Sequence, residues 1–111
     1  MPPHTPYLGE FEYAVVLGIL QLGDEASAVP LRELLEARTG RVIARGALYT
    51  ALERLEAKGC LRSRMVEGDA QRGGRARRCF DPTAAGLRAA RATHAALASL
   101  TSGLDAVLAQ P

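Results

Sequence analysis

Arginine is the side chain whose number and spacing most strongly indicate a chemistry in this sequence. Ten of the fourteen basic residues lie between positions 41 and 78, and nine of these ten are arginines. This segment has a formal charge of +6, whereas residues 1–40 carry −4 and residues 79–111 are neutral. Forked guanidinium groups suit phosphate and guanine, so a basic centre in a small protein is typical of a polyanion partner. A charged face that is merely solvated is the alternative that composition leaves open.

Patterns typical of enzymes and metal sites are missing. The two histidines, His4 and His94, have no acid at a spacing that suits a catalytic triad or a metal. No glycine-rich phosphate loop follows a strand, because Arg72-Gly73-Gly74 falls at the tip of a predicted hairpin. We therefore expect a protein that is not an enzyme and that uses neither a metal nor a cofactor.

Length and composition predict one helical domain. A chain of 111 residues with 48% hydrophobic residues has room for one core, and twenty alanines with five aromatic residues favour helices around aliphatic side chains. The longest apolar stretch, Tyr13 to Leu20, is far shorter than the roughly 20 residues of a membrane span. The N-terminal residues do not resemble a secretory signal. These features predict a cytoplasmic protein without a membrane partner.

Hydrophobic periodicity predicts three helices after a loose, proline-rich arm. The arm covers residues 1–8, and the helices cover residues 9–22, 29–39 and 45–58. The first helix is apolar on all sides, so we expect one side to face the protein's own core and the other to face a second copy.

The second helix carries clear signals at both ends. Pro30 occupies a permitted position in its first turn, and Gly40 ends it as a left-handed cap. Its charged residues are expected to face water; they are Arg32, Glu33 and Glu36.

The third helix has the pattern of a helix that enters a DNA groove. Leu48, Leu52 and Leu55 form its inner stripe. Its outer face is small and smooth near the start, with Gly46 and Thr50 pointing outward.

A hairpin and a long helix are predicted to follow. The strands are expected over residues 60–67 and 75–81, with a basic tip between them. Pro82 stops the second strand and Thr83 caps a helix over residues 84–109, unless Ser102-Gly103 breaks it.

Three helices followed by a basic hairpin predict a winged helix-turn-helix. The predicted fold is mainly α with a small β-hairpin. We expect an arm at 1–8, a DNA-binding domain at 9–82 and a C-terminal dimerisation helix at 83–111.

Four segments resemble the PadR family of bacterial transcriptional regulators. They read LGEFE at 8–12, RGALYTALERLE at 45–56, KGCL at 58–61 and RGGRARR at 72–78. The resemblance covers about residues 8–86 and implies a homodimeric winged-helix repressor of the short type, whose single C-terminal helix dimerises against the first helix. It also implies that a small effector, often a phenolic or a drug-like toxin, weakens DNA binding.

The sequence departs from the family at a few positions. Ala44 replaces the usual capping residue before the third helix, and Ser27-Ala28 replaces an aromatic-glycine pair. Cys79 and Pro82 stand where an aromatic and an aliphatic residue are common. These differences bear on the operator and the wing geometry rather than on the family.

Arg45 and Thr50 are predicted to reach base edges or flanking phosphates. Two roles remain open for Tyr49. Its hydroxyl bonds a phosphate, or it is a half-buried tyrosine that braces the third helix. Arg75 and Arg77 share one strand face, which leaves Arg78 pointing elsewhere. The complete predicted DNA-binding set is Arg41, Arg45, Gly46, Tyr49, Thr50, Arg72, Arg75, Arg77 and Arg78.

A second copy and an effector are the other expected partners. The predicted dimer interface consists of Val16, Leu20, Leu87, His94, Leu97, Leu104 and Leu108. The default effector pocket lies between the first and last helices and is lined by Tyr13, Leu17, His94 and Leu97. A protein that binds no effector fits the sequence equally well.

Two alternative hypotheses accompany this interpretation. The fold also serves as a protein-interaction module without specific DNA binding. Cys60 and Cys79 are expected to face each other across the hairpin, where a thiol switch would tune the wing, although plain buried cysteines are the more common case.

Overall fold

The computed structural model describes residues 7–68 and 74–111, which form a mainly helical protein with one small sheet. The elements are α1 Glu10–Leu22, α2 Ala28–Thr39, α3 Arg45–Ala57, β1 Leu61–Val66, β2 Arg77–Pro82, α4 Ala84–Thr101 and α5 Asp105–Leu108. A short 3-10 turn, Gly23–Glu25, joins α1 to α2. The predicted fold class is confirmed. None of the described helices combines the length and the apolar character that crossing a membrane requires.

The first helix is the centre of the core. Val15, Val16 and Ile19 of α1 are buried, and α2, α3, β2 and α4 all pack against this helix. A Cβ added to Gly18 would lie 2.6 Å from Leu31 Cδ1, so glycine lets α2 approach α1 closely. Val16 was predicted to contact a second copy, and that prediction is wrong, because its side chain is fully covered by the protein's own core.

The second helix ends as the sequence predicts. Gly40 has φ +70°, in the left-handed region, and its N–H donates to the Glu36 carbonyl at 3.0 Å. Pro30 is the third residue of α2 and so lies in the first turn. The local signals therefore fix where the helix-turn-helix begins to turn.

The hairpin register separates the two cysteines. Leu61 pairs with Pro82 and Arg64 pairs with Cys79, while Cys60 precedes β1. Both thiols are free and buried. The prediction that they face each other is wrong, because they occupy different levels of the antiparallel ladder.

An isolated β-bridge joins the wing to the body. Ser27 forms an antiparallel bridge with Cys79, and the Phe80 N–H donates to the Ala26 carbonyl at 2.9 Å. The sequence does not predict this pairing, because Ala26 and Ser27 are only two residues between helices and show no strand periodicity. The contact fixes β2 beside the start of α2.

The long helix α4 begins at a tight junction with the hairpin. The Thr83 hydroxyl accepts from the Gly86 N–H at 3.0 Å and donates to the Gly59 carbonyl at 2.5 Å, so the predicted cap is confirmed. A Cβ at Gly86 would lie 2.1 Å from the Cys60 carbonyl oxygen, so α4 crosses this backbone where only glycine fits.

The far end of this helix differs from the prediction. A single helix was expected to reach residue 109, but α4 ends at Thr101 and Gly103 has φ +82° before the short α5. The helix is therefore broken at Ser102-Gly103, which is the alternative that the sequence allowed.

The arm ends earlier than expected. Leu8 is buried, and its N–H donates at 2.9 Å to the hydroxyl of Thr93, which in turn donates to the Ala89 carbonyl at 2.8 Å. Leu8 therefore belongs to the folded domain rather than to a loose arm. Residues 1–6 lie outside the described part of the chain.

Replacing Gly86 with alanine should destabilise the protein by about 1–3 kcal/mol, because the added methyl group meets backbone that cannot rotate away. Urea unfolding followed by circular dichroism measures this change. Gly46→Ala is the matched control, because a Cβ there meets no atom within 4 Å, and it should stabilise α3 by up to about 1 kcal/mol. Equal midpoints for the two variants would contradict the close crossing.

Candidate nucleic-acid interface

The third helix presents the outer face that the sequence predicts. Leu48, Ala51, Leu52 and Leu55 are buried against the core. The opposite face is exposed and carries Arg45, Gly46, Tyr49 and Thr50. The structure therefore brings the four predicted DNA-binding residues of this helix together on one surface.

Arg45 and Tyr49 form a stacked pair on this surface. The Arg45 guanidinium carbon lies 5.7 Å from the centroid of the Tyr49 ring, and the tyrosine is 39% exposed. A cation held over an aromatic face loses part of its freedom but keeps its donors available. Tyr49 thus braces Arg45 while its own edge remains open to solvent.

The start of the third helix has no side-chain cap. Ala44 occupies the N-cap position in extended geometry and makes no side-chain hydrogen bond. The first N–H groups of a helix have no partner within it, so they favour an external acceptor such as a phosphate oxygen. Arg45 and exposed Gly46 lie at this end.

Two charged residues of α2 hold the turn in front of this helix. Arg32 Nε donates to the Ile43 carbonyl at 2.8 Å, and the Ile43 N–H donates to Glu36 Oε2 at 2.8 Å. The expectation that Arg32 and Glu36 face water is wrong, because both side chains are half-buried against the turn. We call these two hydrogen bonds to Ile43 the clamp. The sequence signal that could have indicated it is the spacing of Arg32 and Glu36, which lie four residues apart, about one turn before the extended link.

The arginines of the wing differ in their surroundings. Arg75 is exposed in the segment before β2. Arg77 pairs with Glu25 at 3.7 Å, and Arg78 pairs with Glu56 while stacking 5.1 Å from the centroid of Phe80. Arg72 lies outside the described residues. Arg77 and Arg78 are therefore paired with acids of the body while their side chains stay partly exposed.

Glu56 connects the third helix to the hairpin. One carboxylate oxygen receives Arg78, and the other accepts from the Ser63 hydroxyl at 3.2 Å. On the other face of the sheet, Arg64 Nε donates to Asp81 at 2.9 Å, and this carboxylate raises the pKa of Arg64. Each strand of the wing is thus fixed by an ion pair.

A cleft of about 520 Å³ separates the third helix from the wing. Tyr49 forms one wall, Ala76, Arg77 and Arg78 form the other, and Val29 lies at the start of α2. Val29 is 65% exposed despite its apolar side chain. The cleft shows that helix and wing border a single surface.

Arg41 lies in the turn, apart from the wing. Its guanidinium forms an ion pair with Glu10, and both side chains are largely exposed. Exposed pairs of this kind contribute little stability, so another anion can replace the glutamate.

The residues predicted for an effector pocket and a dimer lie on other elements, namely α1, α4 and the region of α5. The Tyr13 hydroxyl and His94 Nδ1 are 3.4 Å apart, and Leu17 and Leu97 are exposed beside them. Leu87 is half-buried, whereas Leu20, Leu104 and Leu108 are exposed. The cleft at the wing is lined by none of the four predicted effector residues.

Comparison with known proteins gives one family and several similar structures. The family model described as "Transcriptional regulator PadR-like family" matches residues 16–92. A PadR family transcriptional regulator from Eggerthella lenta is 29% identical, with a TM-score of 0.64 over 87% of this chain and 82% of that chain. A PadR-like transcription factor from Bacteroides fragilis is 22% identical, with a TM-score of 0.66 over 87% and 88%, and is similar in fold. No curated protein matches the chain.

The clamp on the turn gives a testable prediction. Glu36→Ala leaves the N–H of the buried residue Ile43 without its acceptor and should lower the free energy of unfolding by about 1–3 kcal/mol. Glu33→Ala is the control, because Glu33 is exposed on the same helix and should change stability by no more than about 0.5 kcal/mol. Chemical denaturation compares the two, and an equal loss in both variants would show that the clamp contributes nothing.

Proposed function

The chain belongs to the PadR-like family of transcriptional regulators, and from this premise we propose that it is a homodimeric repressor that binds a palindromic operator. The observation that carries the proposal is the shared surface of α3 and the wing, where Arg45, Tyr49 and Arg77 border one cleft or lie beside it. The family consists of regulators, which agrees with the expectation that the protein is not an enzyme.

We expect the two halves of this surface to make different kinds of contact with DNA. The start of α3 is narrow and has Gly46 and Thr50 exposed, so it can approach base edges in the major groove. Arg75 and the wing lie beside it and suit the adjacent phosphates, which fix the register without reading sequence. Arg77 and Arg78 line the same cleft, and their ion pairs with Glu25 and Glu56 also help to hold the wing beside α3.

The proposed dimer uses the apolar surface left uncovered by the protein's own core. Its members are large hydrophobic side chains of α1, α4, α5 and the turns between them: Leu17, Leu20, Leu97, Leu100, Leu104, Val107 and Leu108. Several large apolar side chains exposed on consecutive elements are typical of a protein interface. Two copies related by twofold symmetry would place their α3 helices in successive major grooves, about 34 Å apart.

We further propose that a small effector releases the repressor from DNA. The contact between Tyr13 and His94 supports a polar site at the junction of α1 and α4, with Leu17 and Leu97 as its apolar walls. A second copy would close this site, so binding there could change the distance between the two α3 helices.

DNA binding can be tested with one arginine from the wing. Arg75→Ala should lower affinity for a fragment from upstream of the protein's own gene and reduce the slope of log Kd against log salt by about 0.9, the counterions released by one phosphate. Fluorescence anisotropy at several salt concentrations measures both quantities. Arg88→Ala, on the exposed side of α4, removes the same charge and should leave the slope unchanged.

Other results would count against the proposal. A slope that falls equally in both variants would indicate general charge attraction. Weak and equal binding to the upstream fragment and to a random duplex would favour the interaction module without specific DNA binding.

The dimer can be tested at Leu97, an exposed leucine of α4. Leu97→Glu places a charge in the proposed interface and should convert a dimer to a monomer in sedimentation velocity, because a buried unpaired charge is strongly unfavourable. Met65→Glu is the control, since Met65 is 66% exposed on the wing and should leave the dimer intact. A Leu97→Glu protein that still sediments as a dimer would exclude this interface.

A further inference from the structure

A second cavity lies beneath the turn of the helix-turn-helix, away from the cleft at the wing. Its volume is about 300 Å³, at the lower end of the range typical of small-molecule sites. Phe11 and Ala14 of α1 and Leu35 of α2 form one side, and Ile43 and Ala47 form the other. The cavity is therefore a groove, open to solvent on one side and bordered by the three helices whose mutual positions set the recognition surface.

The walls select the kind of molecule that can enter. Apart from Phe11, the apolar lining is aliphatic, and Val42 lies at the open side with 90% of its surface exposed. Of the two polar residues in the lining, Thr39 is already engaged, because its hydroxyl donates to the Leu35 carbonyl at 2.7 Å and accepts from the Arg41 N–H at 3.2 Å. The other is Arg41, whose guanidinium supplies a positive charge at the rim.

Arg41 can accept a new anionic partner at little cost. Its present partner, Glu10, lies on α1 outside the cavity lining, and both side chains of this pair are largely exposed. An exposed pair contributes little stability, whereas a carboxylate whose alkyl chain lies in the groove is held beside Arg41 and gains a charge-assisted hydrogen bond.

We propose that this cavity binds a small aliphatic carboxylate, with its chain among Ala14, Leu35 and Ile43 and its carboxylate on Arg41. The regulatory part of the proposal builds on the DNA-binding function proposed above. Binding neutralises the Arg41 side chain and presses on the turn that Arg32 and Glu36 hold through Ile43. Both effects act on the start of α3, so a bound carboxylate lowers DNA affinity.

Hexanoate is the probe, and hexan-1-ol is its uncharged match. In a ¹H–¹⁵N NMR titration of the full chain without DNA, hexanoate should cause saturable shifts at Ile43, Ala44 and Ala47 and bind about tenfold more tightly than the alcohol. Ala14→Leu fills the cavity and should abolish both responses. Ala37→Leu makes the same change at an exposed position of α2 and should leave them intact.

Arg41→Gln tests the charge without changing the apolar walls. Because Arg41 is exposed, this variant keeps the fold, and it should bind the two probes equally. Hexanoate that binds Ala14→Leu as well as the wild type, or that shifts a different set of residues, would overturn the site. Equal affinity of the wild type for acid and alcohol would overturn its selectivity.

Regulation is tested separately by adding saturating hexanoate to the anisotropy assay. Loss of one phosphate contact predicts roughly a five- to tenfold weaker Kd for DNA in the wild type and no change in Ala14→Leu. If hexanoate binds in the cavity but DNA affinity stays constant, the regulatory part is wrong while the DNA-binding function stands. If the protein binds no DNA, the titration without DNA still decides whether the cavity is a site.

Discussion

The close approach of α2 to α1 at Gly18 is the constraint on which the recognition surface depends. With no side chain there, Leu31 and Leu35 lie directly on the first helix, and a single methyl group would collide with Leu31. The position of α2 then determines the turn, because Arg32 and Glu36 hold Ile43 from that helix. Protein interiors are close-packed and transmit small displacements. The orientation of α3 therefore depends on the contact between α1 and α2 at Gly18.

Sequence patterns predicted the elements better than the contacts between them. The stripe of Leu48, Leu52 and Leu55 and the glycine at position 40 act within one helix or one turn, so local periodicity and backbone preference were sufficient. Val16 was misassigned because an apolar residue looks the same whether its own chain or another covers it. The pairing of Ala26 with Phe80 depends on residues more than fifty positions apart, which no local pattern records.

The count of arginines likewise described the charge of the site only in part. A net charge of +6 over residues 41–78 treats every guanidinium as available. The structure places Glu25 beside Arg77 and Glu56 beside Arg78, so these two side chains support the wing as well as adding to its potential. Glu25 lies outside the basic segment, and its role follows from the bridge that brings the start of α2 to β2.

The main-chain pairing of Ala26 and Ser27 with β2 has a consequence for how such proteins diverge. Because peptide groups form this link, it does not depend on the exposed side chains that take no part in the ion pairs of the wing. Exposed residues such as Arg75 can therefore change through mutation without displacing the wing or lowering stability much. A duplicated gene with this architecture could acquire a new operator preference in single steps, each passing through a folded protein.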